Sequence, residues 1–270
     1  MPATCSFKTD KVLILALYGK DDVLYLPVKT GFFVFNINKA TMTDSKLFNF
    51  SITPEVLNLG FTGGYLKLRG LQNKIRDEKF EAYRQDKIKG LRVSYSEQFI
   101  QEDSFLEGFR QLHTKVGRSN KKYVSSPENL IGMLLRNGTI PSINLIVDIY
   151  NLVSLETRLA LGAHDISKID GNVTLRLTNG TEKFLPLGKT EAEIVASGEY
   201  SYIDDSNEVI CRLEYRQVEK TKVTLDTKNC FYIIQGNAAT PPDYIHSATL
   251  KLMELTKQYC GGEESILWKP

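Results

Sequence analysis

The sequence is short of the residues that build metal centres and disulfide scaffolds. Its 270 residues include four cysteines and three histidines. Cys5, Cys211, Cys230 and Cys260 are widely spaced with no C-x-x-C pair, and His113, His164 and His246 show no metal-ligand spacing. Structural zinc and a disulfide framework are therefore not expected, and no cofactor is implied. No apolar run reaches the length of about 18 residues that a membrane-spanning helix needs. The opening MPATCSFKTD lacks both the basic start and the small-residue cleavage site of a signal peptide. The expectation is a cytoplasmic protein with reduced thiols, in which VLILALY (12–18) is a strand.

An excess of either charge is missing too. The formal net charge is +2, with 42% hydrophobic and 24% charged residues. That balance is ordinary for a globular chain and supplies no global basic field, so nucleic-acid binding would need a local patch. There is no G-x-S-x-G, no G-x-G-x-x-G and no phosphate loop ending in Lys-Ser/Thr. The glycine-rich GFTGG (60–64) is a turn before a strand.

What is present has a clear order. Residues 11–37 predict two or three short strands, broken by Gly-Lys-Asp-Asp (19–22) and Lys-Thr-Gly (29–31). From residue 48 the chain offers FSITPEVLNLG, an apolar strand in GGYLKLRGL, a charged helix over about 77–89, and a helix over 104–117 capped by Asp103 or Ser104. Ser126 as N-cap, Pro127 at the first helical position and Glu128 in the first turn start a helix that stops at Asn137-Gly138. From residue 171 the period changes from 3.6 to 2. VTLRLT and EKFLPL flank Asn179-Gly180, a hairpin signal, and EYSYID and EVICRLEYR surround residues 204–207. CFYIIQG (230–236) reads as a buried strand, and DYIHSATLKLMELTKQYCGG as an amphipathic helix ended by Gly261-Gly262. Helices first, then a β meander, then one helix: the fold class is α+β.

The most informative stretch is INLIVDIYNLVSL (143–155). At 100° per residue Asn144, Asp148 and Asn151 fall within about 60° of one another, on a helix apolar everywhere else. A buried, unmade polar bond costs roughly 1–3 kcal/mol, so these three groups must have partners. Either they hold loop backbone against the helix, or they line a pocket. Two basic groups also stand out. Arg118, Lys121 and Lys122 lie in GRSNKKY, while Arg212, Arg216, Lys220 and Lys222 cluster around a strand end. Both groups suit phosphate contacts, although a solvated charge run is the usual explanation for each group alone.

The ordered set GRSNKKY, SSPENLIGMLLRNGTIPSINLIVDIYNLVSL, LGAHDISKIDG, FLPLG, TKVTLDT and QYCGG resembles the B3/B4 domain of the phenylalanyl-tRNA synthetase β subunit. It is similar, more closely, to free-standing proteins that carry this domain alone. The resemblance covers about residues 48–262 and implies a layered β/β/α domain with a pocket beside the central helix. In the synthetase this domain edits: it receives the aminoacylated tRNA end and hydrolyses misattached tyrosine.

Carried over by position, Asn144, Asp148 and Asn151 match the family helix. Glu191 matches a glutamate associated with recognising the tyrosine hydroxyl, and Val209 to Leu213 matches a pocket strand. The chain departs from the synthetase pattern at Gly162-Ala163-His164-Asp165, where His-Ala-x-Asp is common, and at the loop before Glu191.

The resulting expectation is a β-rich extension (1–47), a B3/B4-type domain (48–262) and a tail (263–270). The module would bind tRNA or aminoacyl-tRNA and hydrolyse a mischarged ester in trans. Asn144, Asp148, Asn151, Glu191 and Arg212 would meet the substrate, and Arg118, Lys121, Lys122, Arg216 and Lys222 the tRNA. The alternative is a non-catalytic module for a small molecule or protein that keeps only the fold. A protein partner would then dock on the N-terminal β segment. Aminoacylation is not expected, because such a domain leaves no room here for a synthetase core.

Overall fold

The computed structural model describes residues 48–268, together with the backbone of four strands between residues 4 and 36. The chain divides into two compact units, Met1–Lys46 and Leu47–Pro270. In the first unit β1 (Thr4–Thr9), β2 (Val12–Tyr18), β3 (Val23–Val28) and β4 (Gly31–Asn36) pair in sequence order as an antiparallel meander. VLILALY is strand β2, as its composition predicts. The break expected at 19–22 lies outside the described residues.

The second unit opens with β5 (Phe50–Ile52), α1 (Pro54–Leu57) and β6 (Thr62–Arg69). A helical run follows: α2 (Glu78–Ser94), α3 (Glu97–Glu102), α4 (Ser104–Lys115), α5 (Ser126–Asn137) and α6 (Leu145–Thr157). Side-chain caps set their starts. Asp77 accepts from Lys79 and Phe80 N–H, and Asp103 from Phe105 and Leu106 N–H, so each carboxylate meets orphan donors of a first turn. Helix α5 ends at Gly138, whose φ of 71° is the left-handed conformation that glycine adopts without a Cβ penalty. Its cap residue is Ser125, one earlier than the sequence suggests; Ser126 is already helical and Pro127 follows it.

The remaining elements are β7 (Ala160–Asp165), β8 (Val173–Leu177), β9 (Lys183–Phe184), β10 (Glu193–Ile194), β11 (Tyr200–Asp204), β12 (Val209–Arg212), β13 (Arg216–Gln217), β14 (Cys230–Gly236), α7 (Pro242–Cys260) and β15 (Glu263–Trp268). One sheet has the order β13-β12-β11-β8-β5, with β5 parallel to β8; the other is antiparallel, β15-β6-β14-β7.

Side-chain alternation on β14 shows how the layers stack. Tyr232 and Ile234 join the core built with α6 and α7, whereas Phe231 and Ile233 join the core shared with β8, β11 and β12. The β15-β6-β14-β7 sheet therefore lies between helices and the other sheet, a layered β/β/α arrangement of the α+β class. Leu145, Ile146, Ile149, Leu152 and Val153 seat α6 in the helical core. Each such buried side chain contributes about 1.5–3 kcal/mol.

Two expectations need correction. Asn179-Gly180 does turn the chain, with Gly180 at φ 91°, but β8 and β9 do not pair. Both sides of β8 are taken by β11 and β5, and β9 pairs with β10. The Glu182 carboxylate closes the turn instead, accepting from the N–H groups of Asn179, Gly180 and Thr181 and from Arg176. Glu263–Trp268, expected as a tail, is strand β15 at the edge of β6.

Candidate functional site

The amide and carboxylate at the start of α6 are spent on loops. Asn144 is the N-cap: its Oδ1 accepts from Val147 N–H at 3.2 Å and from Asn73 Nδ2 at 3.0 Å. Asp148 accepts from Ser142 Oγ at 2.5 Å and Ile143 N–H at 2.8 Å. Burial raises the Asp148 pKa, and these two bonds only partly offset the rise. Asn144 and Asp148 thus staple the 73–74 and 142–143 loops to the helix. Asn151, one turn on and half-buried, is the member of the stripe that lines a cavity.

That cavity, about 360 Å³, opens at the β7 edge of the central sheet. Ala160, Gly162 and His164 on β7 and Ile233 and Gln235 on β14 form its floor. Tyr150 and Asn151 of α6 stand at one side, and Cys211 and the segment Glu214–Gln217 at the other. Chain geometry explains how Glu214 enters. Leu213, directly after β12, takes φ 50°, a left-handed turn uncommon for a branched side chain. The next residue is thereby turned inward, and Glu214 O accepts from Ser126 N–H at 3.1 Å.

Glu214 is the centre of a buried polar chain. Its Oε1 lies 2.5 Å from His113 Nε2 of α4. Its Oε2 accepts from Tyr200 O–H at 2.5 Å and from Gln235 Nε2 at 3.1 Å. Gln235 Oε1 in turn accepts from Tyr202 O–H, whose oxygen is 3.1 Å from Tyr65 Oη. Burial alone would lower the His113 pKa; the adjacent Glu214 carboxylate reverses this and holds it above the ordinary histidine value. His164 has no such partner, and burial pushes its pKa down to about 3. Burial, helped by the Glu214 charge, raises the Cys211 thiol well above its ordinary value. A cysteine held protonated is a poor nucleophile.

The structure separates the remaining candidates. Arg212 forks onto fully buried Glu199 (Nε to Oε2 2.6 Å, Nη2 to Oε1 2.8 Å) and also holds Glu193 and Tyr123 Oη. Arg118 donates to the same Glu199 at 2.5 Å and to Ser197 O at 3.0 Å. Burial would raise the Glu199 pKa, but the two guanidinium groups more than offset this and lower it. Both arginines are thus partnered inside the protein. Lys222 pairs with Glu219. Lys121 and Lys122 are exposed, Lys122 Nζ lying 5.2 Å from the Tyr123 ring centre. Arg216, half-buried, lines the cavity and donates to Leu187 O. Glu191 is exposed in its loop and does not line the cavity.

Sequence reasoning missed Glu214, His113 and His164. A glutamine in the apolar run CFYIIQG was a usable signal for Gln235; nothing local marks Glu214 or His113. Asp170, Asp204 and Glu208 come close enough together to hold a cation, and Lys220 Nζ occupies that position at 2.7 Å from Asp170 and Glu208.

A model of the B3/4 domain matches residues 109–261, more than half of the chain. This chain belongs to the B3/4 domain family. The chain is 29% identical over 152 residues to the phenylalanine–tRNA ligase beta subunit of Photorhabdus laumondii, covering 48% of this chain and 19% of that protein. Over 111 residues it is 34% identical to the beta subunit of Vibrio vulnificus, covering 41% of this chain and 13% of that protein. The chain therefore spans a fifth or less of these relatives. It is also similar to an N-terminal fragment of the phenylalanyl-tRNA synthetase beta subunit from Pyrococcus horikoshii, with TM-score 0.44, 18% identity, and coverage of 82% of this chain and 51% of that one. No helix among the described residues is long and apolar enough to cross a membrane.

Proposed function

We propose that this B3/4 domain binds the aminoacylated end of tRNA and hydrolyses a mischarged, tyrosyl-type ester in trans. One observation carries the reading: a buried carboxylate, Glu214, 2.5 Å from His113 Nε2 and on the wall of a cavity of about 360 Å³. That volume falls in the range of small-ligand sites. A side-chain hydroxyl can donate to Glu214, whereas an unsubstituted phenyl ring leaves the carboxylate unmatched. Sites that hydrogen-bond a hydroxyl discriminate strongly on this basis. The reading role expected of Glu191 falls to Glu214.

The cavity offers no activated nucleophile, since the Cys211 thiol stays protonated. Water is the attacking group, and the protein contributes by positioning the ester and excluding bulk solvent. Arg216 at the cavity, with Lys121 and Lys122 on the surface, would meet phosphates. Arg118 and Arg212 instead brace the pocket wall through Glu199.

That bracing favours a second reading, a small-molecule module without tRNA, because it removes two cations from the candidate phosphate surface. Incubation of the protein with Tyr-charged and Phe-charged tRNA tests the first reading. Release of tyrosine well above the spontaneous rate, with phenylalanine retained, is expected. Equal, uncatalysed decay of both, together with salt-insensitive or absent tRNA binding, would favour the second.

A further inference from the structure

Two cavity-lining side chains carry a buried atom without an aligned hydrogen bond among the described residues: Glu214 Oε1, whose 2.5 Å approach to His113 Nε2 is a close polar contact, and His164 Nε2. The first belongs to the reading proposed above. The second has no role in it. His164 Nδ1 lies 2.7 Å from Thr221 Oγ1, a hydroxyl with no other hydrogen-bond partner among the described residues. Hydrogen-bond counting chooses the tautomer. If Nδ1–H donated to Thr221, both the threonine hydroxyl proton and Nε2 would go unmatched. If the threonine hydroxyl donates to Nδ1, a single group remains: an Nε2–H donor on a cavity-lining side chain. A buried donor without an acceptor costs roughly 1–3 kcal/mol, so the site favours a ligand that supplies an acceptor.

We propose that His164 Nε2–H donates a hydrogen bond to an acyl oxygen of the bound ligand, fixing its reacting end at the opposite end of the cavity from Glu214. The inference rests on the aminoacyl-site reading and adds the group that holds the carbonyl. Register supports the separation. Gln235, which binds Glu214, pairs with Ala160, whereas His164 pairs with Phe231. Four residues of strand, about 13 Å before side-chain reach is subtracted, lie between these levels. An aromatic amino acid suits that span, with its ring hydroxyl at Glu214 and its carbonyl at His164.

Gln217 lines the same cavity beside β7: its Nε2 would be 2.7 Å from a Cβ on Gly162, and it holds Ala163 O by a long 3.3 Å bond. His164 itself has no solvent exposure, so an oxygen that reaches it meets no competing water. In hydrolysis, water adds to the carbonyl carbon and charge gathers on the carbonyl oxygen. The C–O bond to the ribose then breaks, and the water's proton leaves on the ribose oxygen. His164 keeps its proton throughout and stabilises the charged oxygen as a neutral donor.

The test uses the full chain with ¹⁵N-labelled histidine. NMR should show His164 as the neutral Nε2–H tautomer between pH 5 and 8; an Nδ1–H tautomer overturns the inference. Single-turnover tyrosine release should fall about a hundredfold in His164→Phe with tRNA binding retained. His164→Gln, which offers an amide N–H, should recover part of the rate. If His164→Phe works at the wild-type rate, the inference is overturned while the deacylase reading survives. If the wild-type protein releases no tyrosine, that reading fails instead. Tyrosine methyl ester titrated against the Nε2–H resonance then decides: a shift supports the His164 contact, and no shift overturns it.

Discussion

His113 Nε2 on α4 lies 2.5 Å from Glu214 Oε1, and both side chains are about 1% exposed. A helix outside the cavity thus supplies the counter-charge for the carboxylate inside it. Removing one member of a buried pair leaves the other charge uncompensated, which typically costs 3–5 kcal/mol. His113→Leu should lose about that much stability in urea denaturation. A loss under about 1 kcal/mol would show that the pair is solvated in solution.

The same pair gives a pH dependence. The folded-state pKa of His113 is raised above its unfolded value of about 6.5. Its contribution is therefore complete below that value and is lost as pH rises through the folded pKa. Wild-type stability should decline relative to His113→Gln between about pH 6 and the folded pKa. Parallel stability curves for the two proteins would contradict the pairing.

Asp148 bridges Ser142 and Ile143, so Asp148→Ala should destabilise by about 2–4 kcal/mol. Because burial raises its pKa, the carboxylate resists being charged in the fold, and this resistance weakens as pH falls. Asp148→Asn, which keeps an acceptor for Ile143 without the charge, should cost clearly less. Equal losses in thermal denaturation would mean that the negative charge itself is needed.

Selectivity is expected to reside in Glu214. In Glu214→Ala the preference for Tyr-charged over Phe-charged tRNA should vanish; a matched hydroxyl contact separates such analogues by up to about 10⁴. Glu191→Ala, in the exposed loop, should leave the preference intact. Amino-acid release is measured at a temperature where each variant is folded by circular dichroism. A preference that survives Glu214→Ala would move the reading site elsewhere.

The cations should divide into two groups. Lys121→Ala, Lys122→Ala and Arg216→Ala are each expected to reduce the slope of log affinity for tRNA against log salt by about 1. The melting temperatures of the two lysine variants should be unchanged. Arg118→Ala and Arg212→Ala should instead lower the melting temperature, because Glu199 loses part of its clamp. Affinity titrations at several salt concentrations and a melting series separate the two groups.

Much of the fold was legible because it rests on local chemistry. The α6 stripe, the Asn137-Gly138 stop and the apolar run of β14 follow from periodicity and capping over short windows. The two readings of the stripe fall on different residues. Asn144 and Asp148 hold loops, and Asn151 lines the cavity. Long-range pairing was not legible. The Asn-Gly turn looked like a hairpin because a short window cannot show that β5, 123 residues away, holds the other side of β8. Arg212 looked available for phosphate because Glu199 reaches it only once β11 and β12 are paired. Glu214 is not legible locally, because an acid in LEYR looks solvated until the Leu213 turn sends it inward.

Strand β6, formed early in the chain, finds its neighbours only at β14 and β15. On a ribosome its apolar residues Tyr65, Leu66 and Leu68 would emerge long before residues 230–268 exist to cover them. The central sheet therefore cannot form piecewise during synthesis, and long-range β pairing of this kind is slow and prone to association. Nascent chains stalled before residue 230 should be protease-sensitive across β6 and bind chaperones.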